Sequence, residues 1–366
     1  MEENKKSGYK KGMVTHKELT SIVNKAKLRY IIVLGQRSNG KSYAVKSKFI
    51  LDAYHYGKEF IYLRRYKEDI TDYLTEQYFE DCPVKDLTDG EYNFISIYRK
   101  TIYLANLDEE GNIKRGKVIG YARALNNAER YKSGSYSNVE NIGFEEFISD
   151  TYLPNEVDKL EQFISTVFRQ RDGCVYMVGN TITRVCPYFR EFGLSANIRK
   201  QKIGTVDIYK KKTEDGEVNI GVYRTGTIEG VSGMFFRKSS GMINKGEWLT
   251  DEQPHLRGNL EDYEIVHTVV YKHNDNAFLL RLLTGYVNAI GLVWYVEPKT
   301  TPTKDGSRLV SKDEESNTLW SRSFNFALSS QEQLAFNLLF NGYVCYSDNL
   351  TGTEFKQCMR NEGKTL

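Results

Sequence analysis

Eight residues near the amino terminus constrain the fold of this 366-residue chain more than any other feature. They match the pattern GxxxxGK[ST], and they are Gly35, Gln36, Arg37, Ser38, Asn39, Gly40, Lys41 and Ser42. An apolar run at 30–34, a predicted buried strand, comes directly before them, and a predicted helix at 42–54 follows. Between a strand and a helix, such a loop turns backbone N–H groups inward around phosphates. A chance glycine-rich turn is the weaker interpretation.

The residue types in this loop indicate ATP and Mg²⁺ as its ligands. Lys41 can reach the β- and γ-phosphates of a nucleotide, and the Ser42 hydroxyl can hold Mg²⁺. We expect all eight residues of the loop to take part in binding the nucleotide.

Two acidic residues follow the predicted third strand, which ends at Phe144. Glu145 is placed to assist Mg²⁺, and Glu146 is placed to polarise an attacking water. This pairing is typical of proteins that hydrolyse the nucleotide rather than transfer its phosphate to another substrate. The usual first acid is Asp, so Glu145 brings an additional methylene to the metal site. The alternative is an exposed acidic pair at a strand end.

Three further polar residues stand at the ends of predicted elements. Asn180 follows the strand at 174–178, where its amide could sense the γ-phosphate or could simply form a turn with Gly179. Arg169 and Arg171 end a strongly amphipathic helix. Either both are cations that interact favourably with a helix carboxyl end, or one of them is an arginine finger that enters a neighbouring subunit's site. The spacing alone leaves both interpretations open.

The pattern of predicted strands and helices differs between the two parts of the chain. Apolar strands at 30–34, 60–63, 142–144 and 174–178 alternate with helices, which predicts an α/β domain with a largely parallel sheet. An antiparallel excursion is expected at 93–125, and single helices at about 67–79 and from Pro154 onward. Later we expect a hairpin at 206–223, strands at 264–271 and 290–296, and a helix near 330–340 with a capping box from Ser330 to Gln333. The predicted domains are 1–205, a linker and hairpin region at 206–240, and 241–366.

Composition excludes several classes of protein. The 51 Lys and Arg residues nearly balance 48 Asp and Glu, so a uniformly basic DNA binder is excluded. The charge is uneven, however, because residues 1–50 are strongly basic. Five scattered cysteines without a CxxC pair favour reduced thiols over disulfides or a zinc site. No apolar run approaches the roughly 18 residues that span a bilayer, and the amino terminus lacks a secretory signal.

Taken together, these residues resemble the DNA-packaging ATPases of small φ29-like tailed phages, which are P-loop NTPase ring motors of the additional-strand (ASCE) type. The similarity is dense over roughly residues 28–192 and thin afterwards. It is carried by 35–42, 60–67, 132–133, 144–148, 152–157, 166–171, Asn180 and 187–189.

The resemblance implies a ring, expected to be a pentamer of identical subunits, that drives double-stranded DNA into a prohead as ATP is hydrolysed. The ring would act in the host cytoplasm at the portal vertex, in contact with the portal and with a packaging RNA if the phage uses one. Arg169 matches the trans-acting arginine finger, and Lys132 matches a lysine that approaches a neighbour's nucleotide. Arg64 and Lys67 are candidates for contacting DNA phosphates.

The resemblance also implies that the smaller carboxyl-terminal α+β domain is a vestigial RNase H-like nuclease. Two-metal nucleases need clustered carboxylates on strands, and the apolar run at 265–271 contains none. Asp262 and Glu264 precede it, so an offset site stays open. Two alternatives therefore remain beside the packaging motor. One is a terminase-like enzyme with an active nuclease, and the other is a nucleotide-gated binding module without productive turnover.

Overall fold

The computed structural model describes residues 13–213, 216–228 and 245–364. The chain forms two compact units. The first comprises residues 1–182 and 199–248, and the second comprises 183–198 and 249–366. Within the described ranges, no helix is both long enough and apolar enough to cross a membrane.

A nine-stranded mixed sheet organises the first unit. Strands β5, β2, β6, β7, β1 and β9 run parallel, while β3 and β4 extend one edge and β8 the other in antiparallel pairing. The predicted α/β class with a parallel sheet is therefore confirmed. The strands are β1 (Tyr30–Gly35), β2 (Glu59–Arg64), β3 (Phe94–Tyr98), β4 (Thr101–Leu107), β5 (Ile113–Ala124), β6 (Val139–Glu145), β7 (Cys174–Asn180), β8 (Thr205–Thr213) and β9 (Gly216–Arg224).

The order of the central strands positions the site. β7 is inserted between β1, which leads into the glycine-rich loop, and β6, which carries Glu145. Gly35 lies opposite Asn180, and Glu145 lies opposite Val178. Since parallel strands end at a common edge, the loop, Glu145 and Asn180 converge at the carboxyl edge of the sheet.

Helices cover this sheet through apolar faces. On α5, Leu160, Phe163 and Val167 recur at helical spacing and are buried. The described helices of the first unit are α1 (His16–Ala26), α2 (Lys41–Tyr56), α3 (Asp72–Phe79), α4 (Val84–Leu87) and α5 (Glu156–Phe168), with 3₁₀ turns at Lys67–Ile70 and Leu125–Tyr131.

Two predicted helix starts differ from the structure. The single helix expected at 67–79 is divided at Thr71, whose hydroxyl accepts a hydrogen bond from the Leu74 N–H and so begins α3. The helix expected to hold Pro154 in its first turn begins later, after Asn155. In both cases a residue with a non-helical backbone conformation, Thr71 or Asn155, comes directly before the helix and sets its start.

The predicted hairpin at 206–223 is present as β8 and β9, but it is part of the first unit's sheet. β9 pairs in parallel with β1, from Tyr30 opposite Ile220 to Leu34 opposite Arg224. Residues 206–213 and 216–224 therefore belong to the sheet and not to a linker, in contrast to the predicted linker and hairpin region 206–240, whose last part lies outside the described residues. The pairing with β1 buries the end of β9, which explains why the hairpin belongs to the sheet.

The second unit is built on a six-stranded sheet in the order β14-β13-β10-β11-β12-β15. Its core includes Trp294, Tyr271 and Phe336. The described elements are α6 (Pro187–Glu191), α7 (Ser195–Lys200, which crosses the boundary between units), a 3₁₀ turn (Leu260–Asp262), β10 (Glu264–His273), β11 (Asn276–Thr284), β12 (Leu292–Pro298), β13 (Arg308–Ser311), β14 (Leu319–Ser321), α8 (Ser330–Phe340), β15 (Val344–Tyr346) and α9 (Asn349–Asn361).

Helix α8 is anchored by its first turn. Ser329, not the predicted Ser330, is the N-cap, and its hydroxyl accepts a hydrogen bond from the Glu332 N–H at 3.1 Å. The buried Glu332 carboxylate accepts hydrogen bonds from Arg308 Nε at 2.6 Å and Nη2 at 3.3 Å. This ion pair ties β13 to α8, and both of its side chains are almost fully shielded from water.

We expect the substitution Glu332→Gln to lower the free energy of unfolding by roughly 3 kcal/mol, because it leaves the Arg308 guanidinium buried without a compensating charge. Urea denaturation followed by tryptophan fluorescence measures this, since Trp294 Nε1 donates to the Ala335 carbonyl of α8. The exposed Glu314→Gln is the matched control and should change stability by less than about 0.5 kcal/mol. Equal midpoints for the two variants would contradict the expectation.

The same pair sets an acid dependence. Burial raises the pKa of Glu332, but hydrogen bonds from Arg308 and the Leu328 N–H outweigh it and hold that pKa below its ordinary value. The contribution to stability is therefore complete above the ordinary value and is lost as pH falls through the lowered one. The Gln variant should lack this part of the acid transition.

Candidate nucleotide-binding site

The loop between β1 and α2 adopts the strained backbone that a phosphate cradle requires. Gly35 and Gly40 have φ of +153° and +86°, and Ser38 between them has φ of +61°. A Cβ at Gly35 would lie 2.0 Å from Thr225 Oγ1, so that position requires glycine for space as well as for its backbone angle. The motif thus folds as the sequence predicts.

Lys41 begins α2 and turns back over the loop. Its side-chain ammonium donates to the carbonyl of Gln36 at 2.5 Å and to the side-chain oxygens of Asn39 and Asn180 at 3.1 and 3.2 Å. Burial lowers the pKa of Lys41 to about 8, although the carboxylate of Glu145 opposes the shift. The desolvated ammonium is thus held at the loop, with the Asn180 amide beside it.

Glu145 ends β6 and is 5% exposed. Its two oxygens accept hydrogen bonds from two different hydroxyls, Ser42 Oγ at 2.9 Å and Tyr78 OH at 2.7 Å. Burial raises the pKa of Glu145, and both hydroxyls act against that rise. A carboxylate and a hydroxyl oxygen side by side are hard ligands of the kind that Mg²⁺ takes together with nucleotide phosphates, so the residues present fit this ion.

Tyr78 is a site residue that the sequence reasoning missed. It lies on α3, stacks on Tyr62 with a centroid distance of 4.3 Å, and has the Lys46 ammonium 4.5 Å above its ring. Lys46 also contacts the Tyr78 carbonyl and the Asp81 carboxylate. No motif marks Tyr78, because its link to Glu145 joins residues 67 positions apart in the chain.

Glu146 directly follows Glu145, but its side chain is exposed where that of Glu145 is buried. Its carboxylate is 61% exposed and pairs with Arg64 Nη2 at 2.7 Å. The backbone of Glu146 has φ of +55°. Arg65, next in sequence to Arg64, donates to the carbonyls of Glu146 and Phe147 at 3.2 and 2.7 Å and forms a buried ion pair with Glu156. Arg65 therefore fixes the turn that presents Glu146.

A cleft of about 570 Å³ brings most of the predicted residues together. It is lined by Arg37 to Ser42, Glu145, Glu146 and Asn180 among the predicted residues, and also by Met13, Tyr43, Lys46, Asp81, Val178 and Gly179. Arg169 and Lys132 do not line it, and neither do Gly35 and Gln36 of the predicted loop.

Gln36 faces away from the cleft and secures a second segment that the sequence reasoning missed. Its side-chain amide makes a reciprocal pair of hydrogen bonds with the backbone of Ile228, at 3.0 and 2.8 Å. Asn39 Nδ2 donates to Thr225 Oγ1 at 2.5 Å, and the Thr225 N–H donates to the Leu34 carbonyl at 2.8 Å. Residues 225–228 therefore back the phosphate loop directly.

Arg169, at the end of α5, lies beside the loop that follows Lys132. The guanidinium of Arg169 donates to the Gly134 carbonyl at 3.2 Å, which places it beside the segment that begins with Lys132. Lys132 pairs with Glu129 and is exposed. Arg169 caps α5 with a positive φ of +52°. Arg171, by contrast, donates four hydrogen bonds to backbone carbonyls, so its role is to fasten the loop.

The two predicted DNA-contacting residues differ in their surroundings. Arg64 is 20% exposed and is engaged by Glu146 and, at 3.7 Å, by Asp69. Lys67 is 57% exposed, and its nearest carboxylate is that of Glu68 at 3.9 Å. Lys67 follows β2 at the carboxyl edge of the sheet, as expected.

Comparisons with known proteins agree with this architecture. The family model described as "Podovirus DNA encapsidation protein (Gp16)" matches residues 19–213, which is more than half of the chain. The chain belongs to this family. The DNA packaging protein of Bacillus phage phi29 is 28% identical over 87% of this chain and 89% of its own length. That of Bacillus phage PZA is 34% identical over 46% of this chain and 48% of its own.

A solved structure shares the fold. A chain of the bacteriophage Phi-29 viral genome packaging motor assembly superposes with a TM-score of 0.54 at 22% identity, covering 96% of this chain and 99% of that one. The family predicted from the resemblance over residues 28–192 is therefore confirmed, and with it an ATPase that packages phage DNA.

The contact between Tyr78 and Glu145 leads to a specific expectation. Tyr78→Phe keeps the ring on Tyr62 but leaves one buried Glu145 oxygen without its donor. Loss of such a support behind a metal ligand should weaken Mg²⁺-dependent nucleotide binding about tenfold or more. Binding of a fluorescent nucleotide in Mg²⁺ and in EDTA measures this, and the EDTA value should stay unchanged.

Tyr73→Phe is the matched control. Tyr73 lies on the same helix, is exposed, and its hydroxyl accepts a hydrogen bond from Gln77 rather than contacting the cleft. It should bind nucleotide as the wild type does in both conditions. A Tyr78→Phe protein with wild-type Mg²⁺ dependence would remove Tyr78 from the site.

Proposed function

We propose that this chain is the subunit of a homomeric ring, a pentamer, that draws double-stranded DNA into a prohead through ATP hydrolysis. One observation carries the proposal. The glycine-rich loop, Glu145 and Glu146 share a cleft that neither Arg169 nor Lys132 lines, and Arg169 is instead hydrogen-bonded to Gly134, on the loop that follows Lys132. A complete site then needs residues from a second copy.

Within the cleft, the chain's own residues divide the work. Lys41 and the loop N–H groups would bind the phosphates, and Asn180 is placed beside Lys41 to sense the γ-phosphate. Ser42 and Glu145 would hold Mg²⁺, which supplies charge neutralisation when bound. Glu146 is exposed at the cleft and is the candidate that polarises the attacking water.

The ion pair of Arg64 with Glu146 supports a role for Arg64 at the nucleotide site. A general base must be free to accept a proton, and the Arg64 guanidinium at 2.7 Å occupies the Glu146 carboxylate and holds it at a fixed position. Release of this pair would make the base available. Arg64, first considered for DNA, is therefore better suited to governing Glu146, while Lys67 keeps the predicted role at DNA phosphates.

Arg169 and Lys132 are proposed to act in trans on a neighbour's nucleotide. The strained backbone of Arg169 supports this, because a non-glycine residue with a positive φ is retained mainly where function or packing requires it. A guanidinium that approaches the γ-phosphate stabilises the charge that develops during transfer.

The remaining partners follow from this assignment. The ring would sit at the portal vertex in the host cytoplasm, in contact with the portal and, where one exists, a packaging RNA. The second unit is proposed to be an RNase H-like relative. Its antiparallel β10–β11–β12 meander, extended by parallel β13 and β14 beside β10, supports that fold. The buried residues of β10 are Val269, Val270, Tyr271 and His273, and none of them is a carboxylate, which supports a unit that no longer cuts DNA.

Glu146→Gln tests the catalytic assignment. The amide keeps the size of the side chain but cannot accept a proton, so ATP binding should persist while turnover falls by at least about a hundredfold. Binding by fluorescent nucleotide and DNA-stimulated phosphate release measure the two properties. Glu140→Gln, the same change on strand β6 and outside the cleft, should leave both unchanged.

Near-normal hydrolysis by the Glu146→Gln protein would reject Glu146 as the base. Absence of turnover in the wild-type protein, with and without duplex DNA, would favour the nucleotide-gated binding module. Cutting of that DNA in the same reactions would favour the terminase-like alternative.

A mixing experiment tests the ring. Arg169→Ala and Lys41→Ala subunits should each be inactive alone, because one lacks the finger and the other lacks the phosphate ligand. In mixed rings, some interfaces combine an intact loop with an intact finger, so part of the ATPase activity should return. Phosphate release from co-assembled subunits measures this. No recovery in rings verified to be mixed would make Arg169 a residue that acts within its own subunit.

A further inference from the structure

The turn between β3 and β4 has an unusual sequence for its geometry. Tyr98 pairs with Thr101, so the connection has two residues, Arg99 and Lys100, with φ of +50° and +61°. Two-residue hairpin loops of this kind strongly prefer Asn-Gly or Asp-Gly, because both positions need a positive φ. Here two long cationic side chains occupy the strained positions.

Helix α3 holds this turn in place. The Asp72 carboxylate accepts hydrogen bonds from the Arg99 and Lys100 N–H groups, both at 2.9 Å. One turn further along α3, Glu76 accepts a hydrogen bond from the Ile97 N–H at 3.0 Å. The backbone of the turn is therefore fixed by acceptors outside it, which leaves the two cationic side chains for another task.

A third cation joins the first two. The guanidinium groups of Arg99 and Arg115 lie 5.1 and 4.9 Å from the ring centroid of Tyr98, which is 45% exposed. In the part of the chain that the structure describes, neither these two arginines nor Lys100 forms a salt bridge with a carboxylate. Arg64, Arg65 and Lys46 of the same unit are all paired. We refer to Arg99, Lys100 and Arg115 as the turn cations.

The position of the turn relates it to the nucleotide cleft. Thr101 lies opposite Tyr121 near the carboxyl end of β5, so the turn stands at the same edge of the sheet as the phosphate loop and Lys67. The helix that fixes the turn through Asp72 also supplies Tyr78 to Glu145 at its other end. One helix thus contacts both the metal-side carboxylate and the turn.

We propose that the turn cations bind the phosphate backbone of the translocated double-stranded DNA. The proposal rests on the proposed function, and it adds a DNA contact outside the glycine-rich loop. Cations without carboxylate partners can neutralise backbone phosphates regardless of base sequence, as a translocating motor requires. Retention of Arg and Lys where Asn-Gly would fold more easily is consistent with selection for charge at this turn.

The double variant Arg99→Asn/Lys100→Gly tests this proposal, because it removes two charges and supplies the preferred turn. We expect the thermal midpoint to rise by a few degrees, since the strain is relieved. DNA affinity should fall, and the slope of log K against log salt should decrease in magnitude by roughly 1–2. Anisotropy of a labelled mixed-sequence duplex, titrated with full-length protein over a range of KCl concentrations, measures the DNA affinity and the salt slope.

Lys27→Gly is the matched control. Lys27 is also a cation in the left-handed region, with φ of +47°, but it ends α1 next to the amino edge of the sheet. Its variant should gain stability for the same reason while keeping the wild-type salt slope and ATPase activity. Arg115→Gln provides a second test that leaves the turn backbone untouched, and it should reduce the slope by about 1.

The outcomes distinguish failure of the proposed function from failure of the DNA-binding role of the turn cations. A wild-type protein that does not bind duplex DNA at low salt would overturn the proposed function and this inference with it. Wild-type binding with unchanged slopes in both the double variant and Arg115→Gln would overturn the inference alone. Weakened binding to a folded RNA, with duplex binding unchanged, would assign the turn cations to RNA and also overturn it.

Discussion

The buried ion pair between Arg65 and Glu156 is the interaction on which the geometry of the cleft depends. Arg65 follows β2, Glu156 begins α5, and the guanidinium also donates to the two carbonyls after Glu145. Desolvating such a pair is costly unless every donor finds an acceptor, and here the bidentate carboxylate and two carbonyls supply them. Because this network fixes the turn after β6, Glu145 at the end of the strand is buried and Glu146 in the turn is exposed. Two neighbouring carboxylates can then have opposite environments and separate roles.

The contiguous parts of this site could be predicted because the physics that forms them is local. The loop from Gly35 to Ser42 needs its glycines at positive φ, and these glycines stand in the sequence where the motif requires them. Strand ends also predict well, which is why Glu145 and Asn180 were recognisable as residues that follow or end a buried strand. Helix α8 shows the limit, because Ser329 with Glu332 and Ser330 with Gln333 are equally good capping patterns, and only the buried pair with Arg308 selects the first.

The parts that could not be predicted are contacts between distant segments. Tyr78 looks like any aromatic residue of an amphipathic helix until β6 is placed beside it. The hairpin β8–β9 was recognisable from its turn, but no pattern within it reveals that β9 pairs with β1. Strand pairing across nearly two hundred residues is decided by which edge of the sheet is available, and that edge exists only once the sheet has formed.

That pairing has a mechanical meaning. Residues 225–228 continue from β9 and are hydrogen-bonded to the back of the phosphate loop through the amide side chains of Gln36 and Asn39. Tension applied to the chain beyond Ile228 would reach the loop through a few short hydrogen bonds, before it reached any strand or helix. A force applied at Ile228 and a change in the phosphates bound at the loop would therefore act on the same few atoms. The back of the loop is thus a natural place to convert chemical change into force.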